Sequence, residues 1–222
     1  MSMTENCYEI VNSSANCIKL ELKSSKVMLT KEQINEIKKY GFNDPEDNCF
    51  TLARDAALAA VVIADSNAVL LDKNHGIGGV WEEFPEIPQD QSDITVQPDI
   101  ALNILNYIKS TLDNGYPVLV GVNVGVASEI NDGVTDHFLV MIGYEKNNMG
   151  EIVRFFGLDN ASSTVPKVEF QVDDNSKMYK PILRGQDRTG VRYIDSQLYV
   201  VTQVRVWKQI KPMTNKGVWG RW

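Results

Sequence analysis

Apolar positions recur every three to four residues in the helical segments before residue 115, and alternate or run unbroken in the strand segments. Residues 17–23, Cys-Ile-Lys-Leu-Glu-Leu-Lys, alternate apolar and charged side chains and predict a half-exposed strand. A helix follows with its punctuation complete. Thr30 and Gln33 form a capping box, Glu32 lies in the first turn and Lys38 and Lys39 in the last, Ile34 and Ile37 make the buried stripe, and Gly41 is the stop. The loop from Phe42 to Glu46 leads directly into residues 49–64, where everything except Thr51, Arg54 and Asp55 is apolar and six residues are alanine. A helix apolar nearly all round predicts a buried one. Residues 65–97 are polar and punctuated by Gly and Pro, a long excursion with room for short helical turns. Pro98 opens a third helix, with Ile100, Ile104, Ile108 and Leu112 at i+4 spacing and Gly115 as its stop.

From Pro117 the period shortens. Pro117 to Val122 is a β-branched run, a polar loop spans Ser128 to Asp136, and His137 to Tyr144 is a second buried strand with a histidine at its head. Glu145 to Gly150 reads as a hairpin loop, and Ile152 to Leu158 as the return strand that delivers Asp159-Asn160 at its end. Val168, Phe170 and Val172 alternate with Lys167, Glu169 and Gln171 in an amphipathic strand; residues 173–190 form a polar loop and Leu198 to Trp207 a last β-rich stretch. Trp219 and Trp222 in the tail are expected to pack onto the domain and not to serve a ligand. The layout is α+β, helices first and an antiparallel sheet second, in one domain over residues 1–222. Its parts are an N-terminal strand and helix (1–40), a helical part (41–115) and a sheet part (116–222).

Composition narrows the function classes. A net charge of −7 argues against a nucleic-acid partner, because phosphate binding needs a clustered basic surface. No apolar run is long enough to span a membrane. The first seven residues lack the basic start and apolar stretch of a secretory signal, so the expectation is a cytoplasmic product, exported only by a dedicated machine. Three cysteines without a Cys-x-x-Cys pair disfavour a disulfide framework and a zinc site, and Cys7 and Cys17 read as reduced structural residues. The glycines Gly76, Gly78 and Gly79 match no phosphate loop, and no cofactor or metal is expected.

The candidate chemistry is a nucleophile and a base. Asp47 and Asn48 can both cap the helix that Cys49 opens, which places the sulfur among unpaired amides at the positive end of a helix dipole. Both effects favour the thiolate, the nucleophilic form of cysteine. The chain has only two histidines. His75 lies in a Gly-rich loop and reads as solvated surface, whereas His137 stands at the mouth of a buried strand beside polar residues. Asp159 or Asn160 at the end of the neighbouring strand could fix the imidazole ring. Adjacent strand residues face opposite ways, so only one can do so; Asp159 is favoured, and it would also hold more positive charge on the ring.

Together these segments resemble the papain-like cysteine peptidase superfamily. The resemblance runs in order through Cys49 at the head of a buried helix, the Gly115–Val122 helix stop and Pro-Val strand, His137 to Gly143-Tyr144, and Asp159-Asn160. It covers residues 41–172 in outline. The Gly-Ser-Cys-Trp surround of the papain cysteine and the tryptophan after the orienting asparagine are absent, so the likeness is to the superfamily and not to the papain family proper. Bacterial branches that process leader peptides, cut peptidoglycan or act as toxins fit the looser pattern. The resemblance implies a helical part carrying the cysteine helix packed on an antiparallel sheet, and a thiol amidohydrolase working through a thioester. It also implies an oxyanion hole built from the Cys49 backbone amide and a side-chain amide. Asn43, six residues before the cysteine, holds the family's offset for that amide, and Asn48 competes with it. The implied substrate is a peptide, a protein or the peptide part of peptidoglycan. A secreted toxin of this kind would meet a protein inhibitor or immunity protein, and a catalytically silent binding domain is the remaining reading.

Overall fold

The computed structural model describes residues 24–44, 47–71, 75–78, 97–123, 135, 137–174, 178–180 and 199–210. Three helices, α1 (Lys31–Ile37), α2 (Cys49–Val62) and α3 (Pro98–Asp113), pack with antiparallel strands in an α+β arrangement. The expected strand over 17–23, Cys7, Cys17 and the tail tryptophans Trp219 and Trp222 lie outside the described residues.

The helices follow their local chemistry. Both halves of the Thr30–Gln33 capping box form at α1. The Gln33 carboxamide then donates from Nε2 to the carbonyls of Ala60 (3.3 Å) and Gly115 (2.8 Å), tying α1 to α2 and to the end of α3. Lys38 is the C-cap of α1, so both lysines fall past the last turn. Pro98 occupies the first turn of α3, Ile104, Ile108 and Leu112 are buried while Ile100 is only partly so, and Gly115 takes a left-handed φ of +76°.

Helix α2 departs from expectation. Ala53, Ala56, Ala57, Ala60 and Val61 form its buried face, but Val62 and the capping Ile63 are each 52% exposed. In a segment this uniformly apolar the pattern cannot say which face packs. The small alanine face is the one that seats closely against α1 and β4 (His137–Lys146), and bulkier aliphatics are left outside.

Strand β4 is the hub of the sheet. It pairs with β3 (Val118–Asn123) from Val122↔His137 to Val118↔Met141, and beyond that point with β1 (Ser25–Met28). Its other edge holds β5 (Ile152–Leu158). Strands β6 (Lys167–Val172), β7 (Met178–Lys180) and β8 (Tyr199–Val204) complete the curl, in the order β1-β4-β3-β8-β7-β6-β5 with β5 returning to β4. Gly143 is required where β1 crosses, since a Cβ there would lie 2.5 Å from the Val27 carbonyl.

Several sequence expectations are corrected. Helices do not simply precede the sheet, because β1 lies before α1 and joins β4. The 65–97 excursion contributes a short strand, β2 (Val69–Leu70), paired with β9 (Trp207–Gln209), and an Ile77–Val204 bridge. The 173–190 loop contains β7, and the 198–207 stretch divides at Arg205-Val206 into β8 and β9. Strand β4 runs on to Lys146, which shortens the hairpin loop. Strands β1, β2 and β9 are short and owe their existence to partners far away in sequence, so local pattern carries no trace of them. Among the described residues no helix is long and apolar enough to cross a membrane.

Candidate active site

Cys49 is the first residue of α2, half-buried, and Asn48 caps the helix by accepting from the amides of Phe50 (2.9 Å) and Thr51 (3.3 Å). Asp47 does not share the capping; its carboxylate accepts from the amides of Asn43 and Asp44 and folds the preceding loop. The next residue, Phe50, meets Phe138 edge-on at 4.9 Å, so the head of α2 rests on the first residues of β4. This contact brings the sulfur to His137, the residue before Phe138.

His137 is buried at the start of β4, and its Nε2 lies 2.8 Å from Asp159 Oδ1. That leaves Nδ1 as the ring nitrogen open to Cys49, and the thiol and imidazole lie close enough for each to shift the other's protonation. Asp159 is fully buried just past the end of β5, and its Oδ1 also accepts from the Ala161 amide at 2.9 Å, an Asx turn. The backbone closes behind it: the Asp159 amide donates to the Pro166 carbonyl across a turn in which Val165 holds φ +43°. A β-branched residue in that region is strained, at a cost of about 1–3 kcal/mol.

The three groups shift one another's protonation. Burial pushes the His137 imidazolium down, but the Asp159 charge and hydrogen bond, followed by Cys49, reverse this and raise its pKa to about 10. Burial pushes the Cys49 thiol up, yet the hydrogen bond and charge of His137 and the backbone amides of Phe138 and Phe50 bring it below its ordinary value. Burial would raise Asp159, and the charge and hydrogen bond of His137 and the Ala161 amide hold it low. All three shifts run toward thiolate, imidazolium and carboxylate, the state in which a nucleophile stands beside a proton donor whose orientation is fixed from behind.

This state has a signature in stability. Between pH 6.5 and 9.0 the folded ion pair binds one proton; the unfolded pair also binds one, on a thiol of ordinary pKa 9.0 beside an imidazole of 6.5. Equal proton counts give no slope. Cys49→Ala removes the thiol, so folded His137 keeps a proton that the unfolded chain has lost. The variant's stability should then fall from pH 6.5 upward by up to ~1.4 kcal/mol per unit, relative to the parent. Denaturant midpoints of the two proteins at several pH values between neutrality and 9 measure this, and parallel profiles would rule the ion pair out.

Of the residues expected at the site, Cys49, His137 and Asp159 come together. Asn160 does not reach the ring; it is buried with its side chain on the Tyr40 carbonyl. Asn48 spends its oxygen on the helix cap, and Asn43 is exposed with Nδ2 donating to the Gly41 carbonyl at 2.8 Å. His75 is exposed. Among the described residues no cluster of His, Cys, Asp and Glu could hold a metal. In comparisons with known proteins, no family model, no curated protein and no solved structure matches this chain.

Tyr199 is the participant that sequence reasoning missed. It opens β8, is fully buried and has its ring 5.7 Å from that of His137. A tyrosine at a strand start carries no functional signal of its own; only the β3–β8 pairing places it behind the histidine.

Proposed function

We propose that this chain is a cysteine-dependent amide hydrolase of papain-like architecture, acting on peptides or proteins. The observation that carries the reading is the His137–Asp159 pair at 2.8 Å beside Cys49 at the head of α2, with thiol and imidazole close enough to shift each other's protonation. The Cys49 thiolate attacks the acyl carbon, and the C–N bond breaks as His137 protonates the departing amine. His137, now neutral, takes a proton from water, whose oxygen displaces the thiolate from the thioester and releases the acid. Asp159 holds the ring through both steps. The backbone amide of Cys49 donates to the oxyanion.

Alkylation with iodoacetamide at mildly acidic pH, read residue by residue by mass spectrometry, tests the core of this. Cys49 should react where Cys7 and Cys17 stay silent, because only a thiolate paired with an imidazolium persists there. Equal, slow labelling of all three would return the site to a binding role. A denatured protein and purified peptidoglycan sacculi, incubated in parallel, then distinguish a general peptidase from an enzyme that cuts cell-wall peptides. An antibacterial toxin delivered by a secretion machine would show the second activity.

A further inference from the structure

The site has two halves, a sulfur on a helix and an imidazole on a sheet, and helix packing alone does not set their register. A misplacement of about 1 Å between reacting groups costs on the order of 10²-fold in rate. Between the two halves lies Asn160. It follows Asp159 directly, is fully buried, and grips the loop before α2 twice: Nδ2 donates to the Tyr40 carbonyl at 2.6 Å, and its own carbonyl accepts from the Phe42 amide at 3.1 Å. A carbonyl can only accept, so the amide nitrogen is the atom facing Tyr40 and the orientation is settled.

Gly41, between the two gripped residues, lies flat on the following loop; a Cβ there would come within 2.7 Å of the Ser162 carbonyl and 2.9 Å of Ser163 Cα. From this grip the chain runs through Asn43 and Asp44, both donating to Asp47, to the Asn48 cap and Cys49. Asn160 Oδ1 is buried and accepts no hydrogen bond among the described residues. Leaving it so costs about 1–3 kcal/mol, which an apolar side chain would avoid. A carboxamide kept at that cost points to the position of what it holds.

We propose that Asn160 is a positioning residue that locks the Cys49-bearing loop to the strand end carrying Asp159, and so holds the sulfur in line with His137. The proposal rests on reading Cys49 and His137 as a reactive pair. Asp159 and Asn160, neighbours in sequence, divide the work: one fixes the ring and the other fixes the loop.

The test is the pH profile of Cys49 alkylation by iodoacetamide in the full chain, measured beside far-UV circular dichroism and thermal melting. Asn160→Ala removes the grip, and Gly41→Ala pushes the same loop away without touching Asn160. Both should fold and lose part of the ion pair. Their acid limb should rise by about one unit, read as about 10-fold slower labelling near pH 5.5. Asn160→Asp adds a distinguishing readout, because a protonated carboxyl can donate to the Tyr40 carbonyl and a carboxylate cannot. Its labelling relative to the parent should therefore recover as the pH is lowered. Variants that melt earlier but keep the parent profile, or that fail to fold at every pH, would overturn the positioning role in favour of a purely structural one. An Asn160→Asp profile parallel to that of Asn160→Ala would overturn it too. If the parent itself labels like an ordinary thiol, it is the hydrolase reading that fails, and the two failures are told apart by that control.

Discussion

Cys49→Ala and His137→Ala should each lower amide hydrolysis by on the order of 10⁴-fold or more, with the double variant little worse than either single one. Nucleophile and proton carrier act as a unit, so removing one leaves the other without a task. The pair is poised at a helix start and a strand start, where each side chain can be truncated without cutting a backbone hydrogen bond. Alanine suits the first turn of α2, so Cys49→Ala should fold well. His137→Ala is the harder variant because it leaves the Asp159 carboxylate buried without its cation, a loss of about 3–5 kcal/mol. Its rate is therefore to be read beside its unfolding curve. Turnover of a cleaved peptide, together with a trapped acyl thioester in the parent and none in Cys49→Ala, provides the measurement. Residual turnover within tenfold of the parent in Cys49→Ala would end the thiol mechanism.

Asp159→Asn separates charge from orientation. The carboxamide oxygen can still accept the Nε2 hydrogen, so the ring stays in place, but the negative charge that most raises His137 is gone while burial remains. The imidazolium should then lose its proton about 1–3 pH units lower than in the parent, where it holds it to about 10. The cation should therefore be lost from about pH 7–9 upward, whereas at mildly acidic pH His137 is still protonated and Cys49 labelling should persist. Asp159→Ala removes orientation as well and should be the more damaging in turnover. Equal behaviour of the Asn and Ala variants would mean that charge alone matters. An unshifted alkaline limb in Asp159→Asn would mean that the carboxylate does not control the ring.

Much of this site is legible in the amino-acid sequence. Cys49 stood out because cap residues preceded it and an apolar helix followed, and Asn48 does cap that helix. His137 stood out because it is one of two histidines and heads a buried strand. Strand alternation said that only one of Asp159 and Asn160 could face the ring, and Asp159 does. The capping box at Thr30, the stop at Gly115 and the strands from Val118 to Val172 were equally readable, because each rests on neighbours within a few residues.

The amino-acid sequence by itself determined the α+β character, the three helix starts and the short list of residues able to do chemistry, all of which follow from local periodicity and capping. Only the tertiary structure decided the rest: that α2 buries its alanine face, that β1, β2 and β9 exist, that Tyr199 backs the histidine, and that Asn160 turns from the ring to the Tyr40 carbonyl. The physical reason is common to all four. Each is a contact between segments far apart in the chain, whose free energy is gained only on packing, and nothing in the residues flanking either partner encodes which partner it will meet.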